Sequence, residues 1–202
     1  MRRVIVALGD STTAGTPLYL SPLESPPDGR GDVRSQFAWW LMRMRPDWRV
    51  LNRGVNGERS DQIAARFDRD VLTERPDAVT IIAGVNDVYQ GRGAGSVIDV
   101  LGDLYERAGR AGIPVVAGSI VPYNTATTAA NQAMQEVNAW IKAEADRKSH
   151  VTFVDTRAAA AAGDNPDLLS GSPDGLHPDV EGYRRMAEAL ATALARILGP
   201  AG

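Results

Sequence analysis

Cysteine is absent from the 202 residues, which excludes disulfides, thiolate metal sites and cysteine nucleophiles. Also absent is any apolar run approaching the roughly 18 residues that a membrane span requires. Basic residues are not in excess: 22 Lys and Arg stand against 25 Asp and Glu, for a net charge of -3. Nucleic acid is therefore not an expected partner, because phosphate binding relies on clustered cations. Histidine is scarce, with only His150 and His177. The opening Met1 to Leu8 imitates a signal peptide, but its apolar run stops after about five residues at Gly9-Asp10. A core strand and a cytoplasmic protein are the expectation.

What is present suits an ordinary soluble domain, 44% hydrophobic and 23% charged. The length fits one domain over 1–202, large enough to bury a core without disulfide or metal support. Five short runs rich in Val, Ile and Ala read as strands: Arg3 to Leu8, Trp48 to Asn52, Ala78 to Ala83, Pro114 to Ser119 and Val151 to Val154. They lack strict polar alternation, as expected of parallel strands covered on both faces. Helical stripes lie between and after them. Phe37, Trp40, Leu41 and Met44 form one, and Ser60 is a plausible N-cap before Ile63, Phe67 and Val71. Others run from Val97 to Ala108, from Met134 to Ala145 and from Tyr183 to Ile197. The alternation predicts an open parallel sheet with helices on both faces. Thr16 to Asp32, with Pro17, Pro22, Pro26 and Pro27, is too long for an ordinary βα turn. It is either functional or a tolerated insertion, and it is a candidate contact for a homo-oligomer.

Open α/β sheets bind ligands beyond the C-terminal ends of their strands. The residues that follow those ends are Gly9-Asp10-Ser11-Thr12, Asn52 to Gly57, Gly84-Val85-Asn86-Asp87, Val121 to Asn124 and, after a variable stretch, Asp174-Gly175-Leu176-His177-Pro178. A serine needs a base to take its proton and a group to orient that base. His150 opens the fifth strand at the far end and reads as a surface residue. His177 lies three residues after Asp174, within reach of a turn. Pro178 favours a first helical position, which would make His177 approximately the N-cap and help keep its ring neutral. Donors for a developing oxyanion are available in the Gly57 N–H, the Asn86 amide and the Ser11 N–H. Gly57 could equally serve a tight turn, and Asn86 a helix cap.

These blocks resemble those of the SGNH hydrolases, also called GDSL-type esterases and lipases. Gly9-Asp10-Ser11 matches the first block, Gly57 the second, Gly84-Val85-Asn86-Asp87 the third and Asp174-Gly175-Leu176-His177-Pro178 the last. The resemblance implies Ser11 as nucleophile, Asp174 and His177 as its partners, and Gly57 and Asn86 as oxyanion donors. It also implies a three-layer α/β/α sandwich with flavodoxin-like strand order 2-1-3-4-5. Thr12 stands where leucine is commonest, and the block around Pro122 is too variable to assign.

The expected activity is hydrolysis of small acyl esters, short-chain, aryl or acetyl, through an acyl-serine intermediate, without cofactor or metal. Tyr19, Tyr89, Pro122 and Tyr123 are candidate pocket residues, and Leu18, Leu20 and Leu23 could add an apolar wall. Acyl transfer, thioester hydrolysis and lysophospholipid hydrolysis stay open within the same family. From another class, a flavodoxin-like module could bind flavin or nucleotide at Gly9 to Thr16. Asp10 counts against it, as does the lack of any G-x-x-x-x-G-K-[ST] or G-x-G-x-x-G pattern. A metal site at Asp174, His177 and Asp179 is conceivable on spacing alone.

Overall fold

A computed structural model describes residues 2–199. Five parallel strands form the central sheet: β1 (Arg3–Gly9), β2 (Trp48–Gly54), β3 (Ala78–Ile82), β4 (Val115–Gly118) and β5 (Val151–Val154). Their order is β2-β1-β3-β4-β5, as the family resemblance implied. β1 lies between two neighbours, with Ile5 opposite Val50 on one side and Ala78 on the other. Its side chains alternate between the faces of the sheet. Val6 and Leu8 join one apolar cluster, Ile5 and Ala7 the other. Both faces are therefore cores, which is why the strand reads as an unbroken apolar run.

Helices α3 (Ser60–Ala65), α5 (Ala94–Arg110) and α6 (Thr128–Arg147) cover the first face. Helices α2 (Phe37–Met44) and α7 (Val180–Leu198) cover the second. On α7 the 3.6-residue period puts Tyr183, Met186, Leu190 and Leu194 wholly inside. Each such aliphatic side chain contributes about 1.5–3 kcal/mol by leaving water. Two shorter helices, α1 (Ser11–Ala14) and α4 (Val85–Tyr89), follow β1 and β3 directly. No helix among the described residues is long and apolar enough to cross a membrane.

Three local expectations need correction. Ser60 is not an N-cap: Arg59 holds that position, and Gln62 reaches back to its N–H. The Ser60 hydroxyl and N–H both donate instead to the fully buried Asp87 carboxylate, at 2.9 and 2.8 Å. A buried carboxylate without donors would be costly, and that demand outweighs the cap. His177 is likewise not the N-cap of the last helix. Asp179 is, accepting from the Gly182 N–H at 2.7 Å. His150 is half-buried rather than on the surface, its Nε2 3.0 Å from the Tyr105 carbonyl.

Candidate active site

Ser11 is the first residue of α1, one step beyond the residue that leaves β1. The first N–H groups of a helix have no intrahelical acceptor. Asp10 satisfies those of Thr12, Thr13 and Ala14 through its carboxylate and carbonyl, and the Ser11 N–H has no acceptor among the described residues. This occupancy counts against a phosphate loop here, since three of the N–H groups such a loop would offer are already used. α1 can sit this close to β2 because Gly54 has no side chain: a Cβ there would lie 2.1 Å from the Ala14 nitrogen.

His177 reaches Ser11 from the far end of the chain. Its Nε2 lies 2.8 Å from Ser11 Oγ, and its Nδ1 lies 2.7 Å from Asp174 Oδ2. An ionised carboxylate only accepts, so Nδ1 carries the ring proton and Nε2 is left to accept from the serine hydroxyl. Asp174 Oδ1 also accepts from the backbone N–H groups of Leu176 and His177, each at 2.9 Å. Burial pushes the Asp174 carboxyl up, but the imidazole and these two N–H groups outweigh it and hold it below the ordinary value. Ser172, which the sequence did not single out, ties the turn by accepting from Gly175 N–H and donating to the His177 carbonyl. Asp179 caps the last helix through Oδ1, and no cluster of three or more His, Asp or Glu placed to hold a metal ion occurs among the described residues.

The cleft over Ser11 has a volume of about 120 Å³, lined by Ser11, Thr12, Asn56, Val85, Asn86, Tyr89, Tyr123, Leu176 and His177. Asn86 Nδ2 donates to the Glu58 carbonyl at 2.9 Å, which orients the amide and leaves its second N–H unused. Gly57 is one residue removed from the wall, in a turn closed from Glu58 N–H to the Val55 carbonyl. Its φ of 77°, at the third position after an Asn56 of ordinary φ, is the type II pattern that requires glycine. The turn explanation for Gly57 thus holds, and its N–H is bound to nothing among the described residues.

Two of the four expected pocket residues lie at the cleft and two do not. Tyr89 is 59% exposed at its mouth, with its ring centroid 5.6 Å from that of the buried Tyr123 in an edge-on contact. Tyr19 lies elsewhere, buried within the Thr16 to Asp32 loop, its hydroxyl donating to the Asp28 carbonyl at 2.7 Å. Pro122 is buried and lines no part of the cleft. Leu18, Leu20 and Leu23 do not line it either. Patterning alone does not tell a loop's own small core from a ligand wall.

A profile of the GDSL-like lipase/acylhydrolase family matches residues 7–185. The chain belongs to that family. This GDSL chain is 29% identical over 158 residues to an acetylxylan esterase of Geobacillus stearothermophilus, a match covering 70% of each protein. A GDSL-like lipase of Bacteroides thetaiotaomicron shares its fold with a TM-score of 0.76 and 24% identity, over 96% of this chain and 88% of the other. A lipolytic G-D-S-L family member from Veillonella parvula does so with a TM-score of 0.77 and 21% identity, over 96% and 99%.

The aspartate of the GDSL block has its own electrostatics. Asp10 is 1% exposed, and its Oδ2 is buried without a partner. Burial, only partly offset by the Thr12 N–H, raises its carboxyl to about 7. An unfolded Asp10 loses its proton near 3.8 and the folded one near 7, so Asp10 subtracts stability as pH rises between them. Asp10→Asn is expected to denature at higher urea than the wild type at pH 8, with the two converging towards pH 4. Parallel curves at both pH values would contradict a buried, reluctant carboxylate.

Proposed function

We propose that this GDSL protein hydrolyses short acyl esters, acetyl esters foremost, through an acyl-Ser11 intermediate. The observation that carries the reading is the Asp174–His177–Ser11 chain, with links of 2.7 and 2.8 Å, opening into a cleft of only about 120 Å³. His177 takes the Ser11 proton as Oγ attacks the acyl carbonyl, and returns it to the departing alcohol. The same imidazole then activates the water that releases the acid. The Ser11 N–H, the Gly57 N–H and the second Asn86 N–H are the proposed donors to the oxyanion, each spared by the hydrogen bonding within the chain.

The cleft volume favours a small acyl group, being well under the roughly 300–1,000 Å³ of pockets that enclose drug-sized ligands. Tyr89 offers a flat apolar ring at the mouth, suited to an aryl group or a sugar ring on the alcohol side. Likeness to an acetylxylan esterase points the same way. In a p-nitrophenyl ester series, kcat/KM is expected to peak at acetate to butyrate and to fall at least about tenfold by octanoate, since even a single misfitted methylene is worth roughly 1–3 kcal/mol. A rate rising steadily to palmitate would overturn the short-acyl assignment.

A further inference from the structure

Gly57 has no side chain with which to fix its own N–H, and nothing lies within 4 Å of where a Cβ would be. Its place is set by its neighbours. On one side, Glu58 is held twice: its carboxylate by Arg66 at 2.6 Å, its carbonyl by Asn86 at 2.9 Å. On the other, the Asn56 N–H donates to Glu24 Oε1 at 2.9 Å. The second oxygen of Glu24 accepts from the Ser21 N–H at 2.9 Å, and Ser21 Oγ donates to the Gly54 carbonyl at 2.6 Å. Residues 21–24 thus straddle Gly54 to Asn56. Glu24 joins the long proline-rich loop to the turn that carries Gly57.

We infer that Glu24 is a positioning residue, holding the Gly57 turn in register with Ser11 through the Asn56 backbone. The inference rests on the assignment of Gly57 as an oxyanion donor. Glu24 lines no part of the cleft, so its loss is expected to leave ground-state binding alone. What it loosens is a donor needed when charge develops on the carbonyl oxygen, where a displacement of about 1 Å costs on the order of 100-fold. The loop from Thr16 to Asp32 is on this view part of the catalytic scaffold.

The test compares Glu24→Ala with the wild type on p-nitrophenyl acetate and on a trifluoromethyl ketone, whose adduct with Ser11 places an oxyanion at the donors. Expected is a fall in kcat of roughly 10- to 100-fold with KM within about threefold, and a rise in the ketone's Ki by a matching factor. A kcat within twofold of wild type, or a loss confined to KM, would overturn it. Should Glu24→Ala fail to fold, Asn56 decides from the other end of the bond. Proline suits the second position of a type II turn and lacks the N–H that Glu24 grips, whereas alanine keeps it. Asn56→Pro is expected to lose kcat relative to Asn56→Ala by that same factor, and equal rates would refute the brace. Asn86→Ala and Ser11→Ala separate the two levels. If they are impaired while the Glu24 and Asn56 results are null, only the brace fails; if neither is impaired, the oxyanion and nucleophile assignments fail with it.

Discussion

Replacing Ser11 by alanine is expected to remove ester hydrolysis almost completely, lowering kcat by about 10,000-fold or more, with a folded protein remaining. Ser11 Oγ is the hydroxyl oxygen poised against the imidazole, 2.8 Å from His177 Nε2, and alanine removes that atom and nothing else. His177→Ala should cost a similar factor, and the double variant little more, because the two act as a unit. Asp174→Asn is expected to fall by roughly the same order. Its amide could present a donor to Nδ1 and stabilise the tautomer with Nε2 protonated, which cannot accept from the serine. Initial rates on p-nitrophenyl acetate, beside thermal melts showing the fold kept, check all three. Wild-type activity in Ser11→Ala would remove the serine mechanism.

Arg66→Met is expected to destabilise the protein by about 3–5 kcal/mol. The guanidinium is only 7% exposed. It donates to Glu58 at 2.6 Å and, at 2.7 Å each, to Asp70 and to the carbonyls of Arg53 and Gly9. Methionine fills similar space but, among the described residues, leaves the 3% exposed Asp70 with only the solvent-facing Arg69 as a cation. Lysine would rescue little, since a single ammonium cannot match the planar fork of donors. The pH dependence has a definite sign. Burial raises the Asp70 carboxyl, the two arginines outweigh it, and the folded value lies below the ordinary 3.8. Asp70 therefore adds stability above about 3.8 that is lost as pH falls through its folded value. The wild-type advantage over Arg66→Met in urea midpoint should shrink on acidification. A difference below about 1 kcal/mol at pH 7 would contradict a central role for Arg66, as exposed ion pairs contribute only that much.

The core and the residues that meet at Ser11 were legible because they are written in local pattern. Short runs rich in Val, Ile and Ala mark most of the strands, and stripes three and four apart set the helix faces. Asp174-x-x-His177 is a turn-sized spacing, and only two histidines compete for the role of base. The pocket residues were legible only where the chain leaves a strand end: Tyr89 and Tyr123 follow β3 and β4, and both reach the cleft. Tyr19, inside a long loop, had no such anchor.

The Glu24 brace and the bonds around Arg66 and Asp87 were not legible, and the reason is physical. Arg66, Glu24 and Asp87 are charged residues of the kind that usually face water, and neither the i,i+4 spacing of Arg66 and Asp70 nor the block that holds Asp87 tells a buried pair from a solvated one. Their partners lie 32 residues away for Glu24 with Asn56, 57 for Arg66 with Gly9 and 27 for Asp87 with Ser60. Only the closed fold sets those pairs. The same holds for Ser60 and His177, where local cap preference lost to the demand of a buried carboxylate and to Asp179. By itself, then, the sequence determined the strands, the main helices and the residues that gather at the strand ends, since short-range periodicity and residue type carry them. Which polar groups hold that site still, and how small its cleft is, was decided by tertiary structure, where desolvation and long-range hydrogen bonding act.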